Sequence, residues 1–273
     1  MPALSKCATA TSVLLLSAAA FAGGAAARGG GQPAPALRFT VLYDNYVHRE
    51  GTRADWGFSC LIEGTEKTIL FDTGTKPEVL MHNVGALGVD LTKVDLIVLS
   101  HAHDDHTGGL PAVLARNSRV EVLFPVSFGA DFAARVAKAG AVTRTVDKPA
   151  EICRNVFLTG EMGDRIKEMS LVLDTPGGLV VVTGCSHPGI VDVLKRAKEI
   201  RDKPIRLVFG GFHLGDAPDA EVQAIIAAFK GLGVERCGAT HCTGDRPIAL
   251  FKAAFGDRYQ SVGTGRVIEV PGS

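Results

Sequence analysis

Apolar residues recur along this chain with two different spacings, which predict a protein that contains both strands and helices. Residues 37–43 alternate between apolar and polar side chains and are rich in β-branched and aromatic types, as in a strand with one buried face. Residues 94–99 and 179–183 form short, almost continuously apolar runs, which are typical of strands buried on both faces. Residues 190–200 and 218–231 instead carry apolar positions at helical spacing.

The order of these elements predicts the architecture. Strands are expected at residues 37–43, 58–62, 68–71, 94–99, 120–124, 142–146, 156–158, 171–173, 179–183, 205–209, 236–240 and 267–270, and helices at 77–87, 110–115, 128–139, 190–200, 218–231 and 247–255. Early strands follow one another as hairpins, whereas later strands alternate with helices. We therefore expect an α+β protein in which two mixed sheets pack face to face with helices outside. Without an internal repeat or a composition break, residues 37–273 are predicted to form one domain.

The first 27 residues have the pattern of a secretory signal peptide. Lys6 supplies a positive charge, residues 13–21 are apolar, and small residues follow, with cleavage expected after Ala22 or Ala27. The alternative is an uncleaved anchor, but the apolar stretch is shorter than the ~20 residues that span a bilayer. Residues 28–36 are rich in Gly, Pro and Ala and indicate a flexible lead-in. We expect an exported, periplasmic protein without stable membrane insertion.

Composition and charge narrow the expected partners. The 273 residues are 46% hydrophobic, enough for a large core, and 29 basic residues balance 29 acidic ones. Without a basic surplus, nucleic acid is a poor candidate, so we expect a small-molecule substrate. Five cysteines remain after cleavage at Ala27, an odd number that leaves at least one thiol free or intermolecular. The sequence leaves the oligomeric state open.

Four residues of metal-binding types follow the predicted buried strand at 94–99. They are His101, His103, Asp105 and His106, and a glycine pair comes directly after them. In an extended loop, side chains two residues apart point the same way, so the first two imidazoles can face one ion. Imidazole and carboxylate groups together suit zinc or a similar divalent ion. A surface loop that is merely polar rarely combines three histidines and an aspartate in this position.

Three more histidines follow predicted strands and stand beside glycine. His187 comes after the strand at 179–183, His213 after 205–209, and His241 after 236–240. Because ligands gather at the carboxyl ends of strands, we expect these side chains to join the first four. His48 lies in a polar loop and His82 within a helical pattern, so both are predicted to be non-ligands.

The motif His101-x-His103-x-Asp105-His106, with His187 and His241 far along the chain, resembles the metallo-β-lactamase superfamily. Further motifs extend the resemblance over residues 37–270, namely Val-Leu-Tyr-Asp-Asn at 41–45, Gly-Phe-Ser at 57–59, Leu-Phe-Asp-Thr-Gly at 70–74, Thr-Gly-Cys-Ser-His at 183–187, Gly-Gly-Phe-His-Leu at 210–214 and His-Cys-Thr-Gly at 241–244. These motifs are similar to the branch that contains the archaeal dihydropterin-linked ribofuranosylaminobenzene phosphate synthase. The resemblance implies a four-layer αββα sandwich, the metallo-β-lactamase fold, with the site at one edge between the sheets.

The same resemblance implies roles for individual residues. His101, His103 and His187 would hold one ion, and a second ion would be held by Asp105, His106 and His241. Asp72 would lie beneath the ligand loop and orient it; a turn-forming or capping role before Gly74 is compatible with that. The implied cofactor is one or two divalent ions, with zinc expected first and manganese or iron as alternatives.

One departure from the family pattern concerns the strand end after residues 205–209. Many superfamily hydrolases carry a bridging aspartate there, whereas this chain reads Gly210-Gly211-Phe212-His213. His213 is therefore expected either to replace the missing ligand or to contact substrate. Cys185 and Cys242 flank ligand histidines; we expect Cys242 to be a packing residue and leave the role of Cys185 open.

The expected function is hydrolysis by metal-activated water of an ester, lactone, amide or phosphoester, with Asp105 and His213 as the proton-handling residues. Two alternatives remain. The chain could be a transferase like the archaeal synthase, or a non-catalytic metal protein that binds a small molecule. Trp56 is expected to be a packing or rim residue, and the segment 147–168 gives no chemical clue.

Overall fold

The computed structural model describes residues 1–4 and 36–271, and residues 36–271 belong to one compact unit. The apolar stretch and the cleavage sites of the predicted signal peptide lie outside the described residues. No helix within the described part combines the length and hydrophobicity needed to cross a membrane.

Thirteen strands of the described residues form two mixed sheets. The first sheet has the order β13-β1-β2-β3-β4-β5-β6, with strands at Val267–Val270, Leu37–Tyr43, Ser59–Glu63, Ile69–Phe71, Leu96–Val98, Glu121–Pro125 and Val142–Val146. The second has the order β12-β11-β10-β9-β8-β7, with strands at Arg236–Thr240, Ile205–Gly211, Gly178–Thr183, Leu171–Thr175, Val156–Leu158 and Ala150–Cys153. Neighbours are parallel from β3 to β6 and from β10 to β12. The remaining pairs are antiparallel, as expected for hairpins.

Seven helices of the described residues cover the outer faces of the sheets. They are α1 Pro77–Ala86, α2 Asp104–Thr107, α3 Leu110–Arg116, α4 Gly129–Lys138, α5 Ile190–Ile200, α6 Asp219–Gly231 and α7 Asp245–Phe255. Helices α1, α3 and α4 pack on the first sheet through Leu80, Val113 and Val136. Helices α6 and α7 contribute Phe229 and Phe251 to the apolar layer of the second sheet.

A third apolar cluster lies between the two sheets. The rings of Phe39 on β1 and Phe209 on β11 meet edge to face at 5.4 Å, and both are fully buried. This inner layer makes the molecule a four-layer αββα sandwich, and it confirms the predicted fold class. Burial of so much apolar surface provides the main favourable free energy of folding. The described cysteines form no disulfide, so the core itself carries the fold.

Most predicted elements are present, with ends that differ by one or two residues. The strand expected at 94–99 is regular only at Leu96–Val98, because the chain leaves the sheet as the ligand loop begins. The strand β7 at Ala150–Cys153 has no counterpart in the predictions. It is short, follows Pro149 and is only partly buried, so it lacks the apolar pattern by which a buried strand is found.

Candidate metal centre

The loop after β4 is held close to the loop after β3. His106 O accepts from Thr73 N at 2.7 Å, and Gly74 O accepts from Gly109 N at 3.1 Å. A side chain at Gly108 or Gly109 would overlap a backbone carbonyl of the β3 loop. Glycine at these two positions therefore allows the close approach that fixes the ligand loop.

Three candidate ligands of the first ion converge. His101 and His103 from the loop after β4 and His187 from the loop after β10 place nitrogen atoms within 4.8 Å of one another. Ring centroids are separated by 4.6 Å, 4.8 Å and 5.0 Å. His101 is buried, whereas His103 is exposed, so the group opens to solvent on one side.

The candidate ligands of the second ion also converge, and Cys185 joins them. Asp105 Oδ2 lies 3.5 Å from His106 Nε2 and 3.3 Å from His241 Nε2. Cys185 Sγ lies 3.2 Å from His106 Nε2 and 3.4 Å from His241 Nε2. One carboxylate, two imidazoles and one thiol thus face a common point.

A third group connects the first two. His213 stands beside His187, with ring centroids 4.3 Å apart, and groups with His187 and Cys185 within 4.8 Å. His213 is exposed at the edge of the site, a position open to either expected role, ligand or substrate contact. Trp56 is 56% exposed, and its ring centroid lies 5.1 Å from that of His241.

Hydrogen bonds behind the site orient the imidazoles toward it. His106 Nδ1 lies 2.7 Å from the buried Asp72 Oδ2. His241 Nδ1 lies 3.0 Å from Asn45 Oδ1. Because a carboxylate or amide oxygen accepts only, each Nδ1 carries a proton, and Nε2 is the nitrogen that faces the cluster and can bind a metal ion.

The same reasoning extends to the first group through Ser100. Ser100 Oγ donates to Asp72 Oδ2 at 2.7 Å, so it accepts from His101 Nδ1 at 2.9 Å. The lone pair of His101 Nε2 then points toward His103. His187 Nε2 is buried without any hydrogen-bond partner. A buried polar atom without a partner is costly, and a divalent ion at this point would satisfy it.

Protonation also suits a metal ion. Burial and the neighbouring imidazoles lower the pKa of His101 far below its usual value, and they lower the pKa of His187 to about 4. Both rings are therefore neutral at pH 7. Burial alone would raise the pKa of Asp105, but hydrogen bonds to His106 and His241 hold it well below its usual range. Two neutral imidazoles and an ionised carboxylate suit zinc and similar ions. Burial lowers the pKa of His106, but the carboxylates of Asp72 and Asp105 outweigh this effect and raise the pKa to about 10. An ion that binds to His106 Nε2 would therefore displace a proton from it.

Backbone strain is concentrated at this site. Five non-glycine residues of the described chain have positive φ, and four of them surround the clusters, namely Asp72, Ser186, His213 and His241 at 55°, 63°, 52° and 51°. Such conformations cost of order 1–3 kcal/mol each and persist where the surroundings enforce them. The fold thus maintains this arrangement against local preference.

Two residues that hold the site were missed by sequence analysis. Asn45 orients His241, and the fully buried Glu168 accepts hydrogen bonds from the backbone N–H groups of residues 185–187 at 2.8–2.9 Å. Asn45 belongs to a motif that carried the family resemblance, which was a usable signal. Glu168 is not in any local pattern, because its partners lie 17–19 residues further along the chain.

The remaining candidates lie outside the three groups. His48 Nε2 contacts Arg266, and His82 Nε2 contacts Gly51 O, so the structure places neither imidazole among the clustered side chains. Cys242 is buried, with Sγ 3.7 Å from Cys185 O, and also stands outside the groups.

Replacing Asp72 by Asn is expected to weaken metal binding about 10- to 100-fold, the usual effect of losing a group that orients a ligand. The carboxylate accepts from Ser100 N, Ser100 Oγ and His106 Nδ1. An amide has one oxygen that accepts and one NH2 group that donates. The NH2 group would face either Ser100 N–H, which is itself a donor, or His106 Nδ1, which would then have to give up its proton and leave Nε2 protonated. Competition titration with a chromophoric chelator measures the affinity.

The matched control for that experiment is Asp95→Asn. Asp95 is exposed and accepts one bond from Thr68 N at 2.8 Å, and it lies before β4, whereas the ligand loop follows that strand. Its affinity for metal should equal that of the unchanged protein. Equal affinity in Asp72→Asn would mean that Asp72 does not set the tautomer of His106.

Comparisons with known proteins agree with this geometry. The family model of the metallo-beta-lactamase superfamily matches residues 57–185. The 7,8-dihydropterin-6-methyl-4-(beta-D-ribofuranosyl)-aminobenzene-5'-phosphate synthase of Methanocaldococcus jannaschii is 30% identical, and the match covers 85% of this chain and 95% of the synthase. A crystal structure described as a metal-dependent hydrolase of the beta-lactamase superfamily has 32% identity and a TM-score of 0.74, over 86% of this chain and 99% of its own. The metallo-beta-lactamase fold protein YhfI from Bacillus subtilis, at 17% identity and a TM-score of 0.63 over 85% and 99% of the two chains, shares the fold.

The matches to the synthase and to the two crystal structures cover 85–86% of this chain, whereas the family model ends at residue 185. The fold implies divalent metal binding, and the candidate ligand groups lie where that binding requires them. Proteins of this group are generally enzymes. Sequence, fold and ligand geometry together show that the chain belongs to the metallo-β-lactamase superfamily.

Proposed function

We propose that this protein is a metal-dependent hydrolase that acts on an ester, lactone, amide or phosphoester of a small molecule. The observation that carries the proposal is the pair of adjacent ligand groups, one of three imidazoles and one of Asp105, His106, Cys185 and His241. Such a site would hold two divalent ions, and zinc fits the mixed nitrogen, oxygen and sulfur donors best. When bound, the ions would supply an acidified water molecule and polarise the substrate oxygen.

The chain's own residues divide the remaining work. Asp105 is kept ionised by His106 and His241, so its carboxylate can bind metal and accept a hydrogen bond from the attacking water. His213 stands at the exposed edge beside His187, where it can donate a proton to the leaving group. Trp56 lies beside His241, where its exposed ring can pack against the substrate.

Removal of the metal tests this proposal. The zinc-loaded protein should hydrolyse at least one substrate in a panel of generic esters, lactones and phosphodiesters, and dialysis against a chelator should abolish that activity. Because the ions bind only the folded chain, their removal should also lower the free energy of unfolding. The expected loss is about 4 kcal/mol when the comparison is the same protein in free zinc at a thousand times its Kd. Calorimetry measures this loss without a substrate. Hydrolysis that survives complete chelation would contradict the proposal.

A transferase is the second candidate, since the synthase from Methanocaldococcus jannaschii is 30% identical along most of this chain. In that case the same ions would bind a pyrophosphate leaving group and the chain would join two organic substrates. Product analysis by mass spectrometry, with a pterin pyrophosphate and an aminobenzene acceptor, separates the two. A condensed product without hydrolysis of any panel substrate would favour the transferase.

The expected cellular location of the protein favours the hydrolase over the transferase. The signal-like pattern of residues 1–27 supports export to the periplasm, where a cytoplasmic pterin precursor is not available. The balanced charge of the chain supports a small molecule rather than nucleic acid as the substrate.

A further inference from the structure

The end of β11 cannot provide a carboxylate between the two ligand groups. A Cβ at Gly211 would lie 2.7 Å from Cys242 Sγ and would overlap Gly184 O, and one at Gly210 would overlap Thr183 O. Phe212, the next residue, is 1% exposed and packs 5.4 Å from the Phe251 ring, within the helical layer. Of the strand end where many superfamily hydrolases carry a bridging aspartate, residues 210–212 thus offer no ligand in this protein, and His213 is the first side chain that reaches the site.

The Cys185 thiol lies between the two groups instead. Its Sγ is 3.2 Å from His106 Nε2 and 3.4 Å from His241 Nε2, on the side of the second ion. It also lies within 4.8 Å of the ligand atoms of His187 and His213, on the side of the first ion. Among the described residues, Cys185 is the side chain shared by the second-ion group and the group that it forms with His187 and His213, and it is 2% exposed.

The backbone holds this thiol in place. Glu168 Oε1 accepts from Cys185 N at 2.8 Å and from Ser186 N at 2.9 Å. Ser186 has a positive φ of 63°, and its Oγ donates to Gly211 O at 2.7 Å. The strand end that lacks a carboxylate and the loop that offers the thiol are therefore joined directly.

We propose that Cys185 binds as a thiolate that bridges the two ions, in place of the aspartate that the packing at Gly211 excludes. The thiol loses its proton when the ions bind. A thiolate favours zinc over manganese, because softer ions prefer sulfur. The proposal rests on the two-ion site of the proposed function, but not on the reaction that the site performs.

X-ray absorption at the zinc edge of the full chain, loaded with two equivalents of zinc, tests the bridge. A sulfur atom at about 2.3 Å is expected in the zinc coordination shell. If one thiolate binds both ions, the average number of sulfur ligands per zinc is about one. If the thiolate binds a single ion, that average is about one half. A count near one half, an absence of sulfur, or binding of only one zinc would each overturn the bridge.

Two matched variants identify the sulfur. Cys185→Ser should lose the sulfur signal, and Cys242→Ser, the neighbouring buried cysteine outside the ligand groups, should retain it. Retention in Cys185→Ser or loss in Cys242→Ser would overturn the assignment. If Cys185→Ser does not fold, the sulfur count of the unchanged protein still decides. These experiments measure zinc coordination and not turnover. A negative result for the bridging thiolate can therefore be told apart from a negative result for the hydrolase proposal.

Discussion

Replacement of His103 by Ala is expected to lower hydrolytic kcat/KM by roughly 100- to 10,000-fold, because metal assistance contributes several kcal/mol to the transition state. His103 is one of three imidazoles in the first ligand group. It is also exposed and makes no side-chain cap for helix α2, so its loss should cost the fold little. His101 and His106 are buried, and their removal would confuse catalysis with stability.

The control for this variant is His48→Ala. His48 is exposed, contacts Arg266 and lies outside the ligand groups, so kcat/KM should stay within error of the unchanged protein. Metal content measured by mass spectrometry should fall in His103→Ala alone, and the melting temperatures of the two variants should agree when both are metal-free. An undiminished kcat/KM in His103→Ala would remove the first ligand group from the mechanism.

The sequence predicted which side chains converge, because their positions follow a simple rule. His101, His187 and His241 each follow the carboxyl end of a strand, and strand ends could be located from apolar runs. The strands before His187 and His241 belong to the second sheet and the strand before His101 to the first, and their loops meet at the edge between the two sheets. The four layers followed similarly from hairpins early in the chain and strand–helix alternation later.

The residues that hold the ligands could not be predicted in the same way. Asn45 reaches His241 across 196 positions, and nothing near Asn45 indicates that partner. The role of Cys185 depends on whether its thiol faces the site or the core, and local sequence allows both. Close contacts between loops decide such questions, so they became visible only in three dimensions.

Glu168 is the clearest case, and its replacement by Ala is expected to destabilise the metal-free protein by about 3–5 kcal/mol. The carboxylate is 1% exposed and accepts from the backbone N–H groups of Cys185, Ser186 and His187. Alanine would leave three buried donors unsatisfied, each at a cost of about 1–3 kcal/mol before relaxation. Because the chain is large, the melting temperature should fall by roughly 6–20 °C.

Two further variants should fall in a defined order of stability relative to Glu168→Ala. Glu168→Gln keeps an acceptor for two of the three donors, so it should lose about 1–3 kcal/mol, between the unchanged protein and Glu168→Ala. Glu66→Ala removes an exposed carboxylate with a single backbone partner, Arg154 N, and should stay within about 0.5 kcal/mol. Denaturant unfolding without metal measures all three, so that ligand loss does not contribute.

Burial raises the pKa of Glu168 to about 7, which shows that the cost of burying its charge is not fully offset by these bonds. A Glu168→Ala protein as stable as Glu66→Ala would mean that water replaces the carboxylate at no cost, and the loop that carries His187 would then have to be held by other contacts.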